Sequence, residues 1–211
     1  MLQRLLAGMI GLLMLAGCGV EPVFAPEEFV RSKIYRHDGP PRLTLYTMIN
    51  NSTGAGAHTS LMVNGSQRVI FDPAGSFAHE TLPERNDVVF GITPAVADVY
   101  TRYHARETFH VRVQELDVSP ELAEAVLRAV MAYGAVPRAQ CALSTSTILS
   151  EFFPGTIKRG WYPKKLADDF QTIPGVTSRT LREYDSDDNR GVLANWDPER
   201  LAAEKATADA E

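Results

Sequence analysis

Apolar residues recur along the chain with two periods, and each switch between them marks an element. Arg42-Leu-Thr-Leu-Tyr-Thr-Met-Ile49 alternates in the manner of a strand. His58 to Val63 and Gln67 to Asp72 read as two more strands, joined at Asn64-Gly65, a strong hairpin signal. Asp87 to Ile92 and Glu107 to Leu116 read the same way. Thr93-Pro94 opens a helix predicted to reach His104, with threonine as cap and proline in the first turn. Ser119-Pro120-Glu121 opens another through Tyr133, closed by Gly134. A third is predicted from Cys141 to Phe153, with Leu143, Thr147, Ile148, Leu149 and Phe152 on one face and Pro154-Gly155 at its end. The sum is an α+β fold: a central antiparallel sheet with helices packed against it, without internal repeats.

Charge and composition narrow the function. The 211 residues carry 21 Lys plus Arg against 26 Asp plus Glu, a formal net of −5, which excludes bulk attraction for nucleic acid. Two cysteines, Cys18 and Cys141, cannot build a disulfide framework or a four-cysteine zinc site. Residues 1–17 read as an export signal: Arg4 supplies the positive start, and Leu5 to Ala16 is apolar but too short to span a bilayer comfortably. Leu15-Ala16-Gly17-Cys18 resembles the lipobox of bacterial lipoproteins, in which cleavage precedes the cysteine and its sulfur is acylated. That resemblance implies lipid on Cys18, and Gly19 in place of the Asp of inner-membrane retention favours the periplasmic face of the outer membrane. Residues 18–41 then form the lipidated start and a tether, residues 42–195 a single domain, and residues 196–211 a helix or disordered tail.

With Cys18 acylated, Cys141 is the one thiol in an oxidising compartment. It falls at a helix start behind the chain break Gly134-Ala-Val-Pro137, where unpaired N–H groups and the helix dipole favour a thiolate. A nucleophilic cysteine needs a base, and five histidines are available: His37, His58, His79, His104 and His110. His58 is best placed, because Gly54-Ala-Gly-Ala57 before it lets another element approach closely. The hairpin register decides its partner. A two-residue Asn64-Gly65 loop sets Phe71 opposite His58, whereas a three-residue Asn64-Gly65-Ser66 loop sets Asp72 there. The second register is favoured, since Asp72 is the one acid in either strand and can orient the imidazole.

A His opening one strand, a polar residue on the next and a Cys on a distant helix start resembles the circularly permuted branch of the NlpC-type, papain-like cysteine hydrolases. The YiiX-like proteins and the lecithin-retinol acyltransferase group belong to that branch. The matching pieces are Ala57-His58-Thr-Ser-Leu-Met-Val63, Val69-Ile-Phe-Asp-Pro-Ala-Gly75 and Gln140-Cys141-Ala142, within residues 42–153. Members often carry Asn before the Cys, where this chain has Gln140. The resemblance implies a permuted papain-like domain with Cys141 as nucleophile and His58 as base. The family's third polar residue varies, which leaves Asp72 and His79 open. Amide or ester bonds are the implied targets, peptidoglycan peptides first and lipids second. The alternative is a non-catalytic envelope-binding lipoprotein with Cys141 as a buried core residue.

Lys158-Arg-Gly-Trp-Tyr-Pro-Lys-Lys165 mixes bases and aromatics and reads as a loop followed by a helix near Pro163. Asp185-Ser-Asp-Asp-Asn189 fails the EF-hand pattern, because Arg190 holds the glycine position and Trp196 that of the bidentate acid, so it reads as a solvated acidic loop. There is no Gly-x-Ser-x-Gly elbow, His-Glu-x-x-His or phosphate-binding glycine motif, and no metal or cofactor is implied.

Overall fold

A computed structural model describes residues 22–194 and Trp196. The expected export signal, Cys18 and the rest of the tail lie outside the described residues. The fold is α+β. Seven strands form one antiparallel sheet: β1 Arg42–Asn50, β2 Gly56–Asn64, β3 Arg68–Phe71, β4 Glu84–Arg85, β5 Val88–Phe90, β6 Phe109–Asp117 and β7 Thr177–Leu181. Their order across the sheet is β4-β5-β3-β2-β1-β6-β7. Six helices accompany it among the described residues: α1 Glu27–Ser32, α2 Pro94–His104, α3 Pro120–Ala132, α4 Cys141–Phe152, α5 Pro163–Gln171 and α6 Arg190–Ala194.

Both faces of the central strands are covered, so β1 is buried over most of its length. Alternation splits its side chains between two cores. Leu43 and Leu45, with Leu61, Val63, Val69 and Phe71, pack under α3, α4 and α5 through Val126, Val130, Leu149 and Phe170. Tyr46 and Met48, with Met62 and Ile70, pack under α2 through Val96, Tyr100 and Tyr103. The helix starts form as their sequences predict. Thr93 accepts a hydrogen bond from Val96 N–H and Ser119 from Leu122 N–H, each at 3.2 Å. Such caps contribute about 1 kcal/mol apiece.

Three expectations change. The hairpin follows neither proposed register: Leu61 pairs with Phe71 and Asn64 with Arg68, so the turn is Gly65-Ser66-Gln67. Asn64 stays in the strand because its side-chain amide donates to Pro40 O at 2.7 Å. Ser66 N–H meanwhile donates to Glu124 of α3 at 3.1 Å. The expected tether is, from Val23 onward, part of the folded unit. Ala25 N–H donates to Glu84 O, Asn86 N–H donates to Val23 O, and Val30 on α1 is buried. Trp196, read as tail, is buried in the α2-side core.

Candidate active site

Three elements bring Cys141, His58 and Asp72 together. Cys141 is the first residue of α4, so its own N–H lies outside the helical hydrogen-bond ladder. It is delivered by Ala139, whose φ of 63° is an uncommon conformation for a residue with a side chain. His58 lies on β2 next to an irregularity, where the pairing shifts from Met48–His58 to Ile49–Gly56. Bulges of this kind re-aim side chains and are frequent beside active sites. The small residues before His58 admit the start of α5: a Cβ on Gly56 would stand 2.5 Å from Lys164 N.

Asp72 follows the end of β3. Continuing the observed register sets it level with Ser60, one alternate position from His58 on the same face. The contact expected from the wrong register therefore survives as a diagonal one, since both registers keep the same parity. His58 Nε2 and Asp72 Oδ1 are 2.7 Å apart. The same Oδ1 accepts from the Tyr100 hydroxyl of α2 at 2.7 Å, and that hydroxyl shares a 2.6 Å hydrogen bond with Ser60 Oγ. Asp72 Oδ2 is buried without a hydrogen-bond partner among the described residues. It faces Gly75, where a Cβ would lie 1.9 Å from it.

With Nε2 held by Asp72, Nδ1 of His58 is the nitrogen left for the sulfur. The imidazole and thiol are near enough for each to shift the other's titration. Burial disfavours the charged imidazole, but the charge and hydrogen bond of Asp72, with a contribution from Cys141, raise the His58 pKa to about 10. Burial likewise raises the Cys141 pKa. The hydrogen bond and charge of His58, with the backbone N–H groups of Thr59 and Ala142, outweigh it and bring the thiol below its ordinary value. Burial also opposes ionisation of Asp72, and the His58 charge and hydrogen bond overcome that, holding it below the usual carboxylate range. The three groups favour a thiolate–imidazolium pair braced by a carboxylate.

His79 is elsewhere: its Nδ1 bonds Thr81 Oγ1 at 2.8 Å and its ring packs against Trp196. His104 and His110 diverge, one bonded to Tyr100 O and the other to Asn51. His104 nonetheless joins the site, its ring stacked 6.0 Å from that of His58. Burial lowers its pKa to about 4, with the Asp72 charge opposing, so it is neutral. Since Nδ1 donates to Tyr100 O at 2.8 Å, Nε2 is the bare nitrogen. Tyr100 and His104 are four residues apart on one helix face, a spacing visible in the sequence, yet nothing there tied that face to His58.

A cavity of about 360 Å³ opens beside His58, with Gly75, His104, Arg106 and Phe109 in its walls. The acidic loop contributes too. Asp187 and Asn189 line the cavity, and Asp187 is held by the N–H and hydroxyl of Thr108. No family model matches the chain, and no match was found among curated proteins or solved structures.

Proposed function

We propose that the chain is a cell-envelope lipoprotein whose domain is a cysteine hydrolase or acyltransferase acting on amide or ester bonds, peptidoglycan peptides being the first candidates. The observation that carries this is the convergence of Cys141, His58 and Asp72 from a helix start and two strand ends. The chain order His58, Asp72, Cys141, with α4 packed against an antiparallel sheet, supports a permuted papain-like reading. The lipid anchor on Cys18 and the periplasmic face of the outer membrane rest on the lipobox-like Leu15-Ala16-Gly17-Cys18.

In this mechanism the Cys141 thiolate attacks the carbonyl carbon. The oxyanion is met by the Cys141 N–H at the α4 start. As the tetrahedral intermediate collapses, His58 gives its proton to the departing amine or alcohol and a thioester remains on Cys141. His58, now neutral, takes a proton from water or another acceptor, which attacks the thioester and restores the thiolate. Asp72 holds the imidazole with Nε2 bound and stabilises its cation; Tyr100 and Gly75 hold Asp72.

One observation favours the non-catalytic alternative: Cys141 is only 6% exposed. Labelling with a fluorescent iodoacetamide separates the two. The hydrolase reading expects the folded protein to label at neutral pH faster than free cysteine and Cys141→Ala to lose that label. Labelling that begins only in denaturant supports an inert core thiol and sinks the enzyme.

A further inference from the structure

Arg106 is buried, 7% exposed, yet poorly partnered. Its Nε is 3.5 Å from Tyr103 O, and its Nη1 is 3.7 Å from a carboxylate oxygen of Asp185, a residue whose side chain is 73% exposed. Asp187 is nearby, but its carboxylate already accepts from both the N–H and the hydroxyl of Thr108. A buried guanidinium whose paired carboxylate stands 3.7 Å away on an exposed residue is only partly compensated for its desolvation, and its planar fork suits a closer, bidentate carboxylate. Arg106 lines the cavity that holds His58, and Met48, Ala57 and Phe109 give that cavity apolar walls. Cys141 is not among the lining residues, so it is the imidazole and not the sulfur that borders the cavity.

We propose that this cavity is the leaving-group site, and that it takes an amine bearing a free carboxylate, an amino acid or the C-terminal residue of a peptide, paired to Arg106. The assignment rests on the hydrolase reading for the step it serves. His58 protonates the leaving nitrogen, so the departing fragment sits on the imidazole's side. The Cys141 sulfur bonds to the carbonyl carbon, the C–N bond breaks, the nitrogen takes the His58 proton, and the free amino acid stays against Arg106. Water then cleaves the thioester, so that amide and water become carboxylic acid and amine. A single guanidinium with two aspartates close by suits one negative charge better than a doubly charged phosphate. The cavity volume of about 360 Å³ accommodates a fragment of this size.

The test is a binding titration on Cys141→Ala protein, followed by the Arg106 Nε–H and His58 ring resonances, with glycylglycine and glycylglycinamide as probes. Glycylglycine is expected to move both resonances and bind about tenfold more tightly than the amide. Arg106→Gln should erase that preference, Arg106→Lys keep part of it, and Asp185→Asn, which removes a competing anion, tighten glycylglycine. Equal binding of the two dipeptides overturns the assignment whatever the variants do, as does an undiminished preference in Arg106→Gln. If Arg106→Gln does not fold, weaker glycylglycine binding in Asp185→Asn overturns it, because Arg106 would then be a latch for the acidic loop. The titration uses protein without the thiol, so an unreactive Cys141 sinks the hydrolase reading alone and equal binding sinks the pocket assignment alone.

Discussion

Gly75→Ala should cripple the site without replacing Cys141, His58 or Asp72. The added Cβ would stand 1.9 Å from Asp72 Oδ2 and 2.3 Å from its Cγ. Ordinary contact needs upward of about 3 Å, so the carboxylate must retreat by roughly 1 Å or more. Its Oδ1 cannot then keep both the His58 and the Tyr100 hydrogen bonds, each 2.7 Å long. Hydrogen bonds to a buried charge are worth about 1.5–3 kcal/mol each, and with partial relaxation the loss comes to roughly 3 kcal/mol. At an m-value of about 2 kcal/mol/M, the urea midpoint falls by about 1.5 M. Gly160→Ala, whose Cβ would meet nothing nearer than 3.9 Å, is the control and should stay within about 0.5 kcal/mol. In an Asp72→Ala background the clashing atoms are gone, so Gly75→Ala should cost little, a coupling that a double-mutant cycle reads directly. Wild-type stability for Gly75→Ala, or equal cost in both backgrounds, refutes the close approach of Gly75 to Asp72.

Ala139 is held at φ 63°, so Ala139→Gly should stabilise the fold by roughly 0.5–1 kcal/mol in urea melts; a loss would mean that no strain is stored before Cys141. Gly56→Ala would drive a Cβ to 2.5 Å from Lys164 N and should cost more than about 2 kcal/mol by displacing the start of α5; a neutral result would show that α5 is free to shift. The pKa of His104 is depressed by burial to about 4, against 6.5 for an unperturbed histidine. Its folded value being the lower, the unfolded chain binds the extra proton first. Its contribution is present above pH 6.5 and lost as pH falls toward 4. His104→Gln should flatten that part of the stability profile, and an unchanged acid slope would assign the loss to other groups.

Five strands and the two capped helices are legible because each rests on a local signal, such as alternation in Arg42–Ile49, Thr93-Pro94 or Ser119-Pro120, while the two-residue β4 carries none. Strand β7 is not, since Thr177–Leu181 is almost wholly exposed, carries no apolar alternation and owes its place to pairing with β6. The hairpin shows how a local signal is overruled. Asn64-Gly65 favours a tight turn, but Pro40 and Glu124 capture Asn64 and Ser66 from elsewhere in the fold. Asp72 reaches His58 all the same, because face depends on parity and not on the exact pair. Cys141 and His58 could be chosen from residue chemistry and helix position. Tyr100, His104 and Arg106 could not, because what makes them part of the site is α2 and the start of β6 packing over the β2 end, a long-range event without a sequence marker.

The central claim is that Cys141 is a thiolate paired with the His58 imidazolium at neutral pH. The direct measurement is the rate of Cys141 alkylation by iodoacetamide in folded protein from pH 4 to 10, alongside His58→Asn. The rate should reach half its plateau below the free-thiol value of about 8.5, and His58→Asn should move that midpoint upward. A midpoint at or above 8.5, unchanged by His58→Asn, would contradict the pair and with it the proposed chemistry.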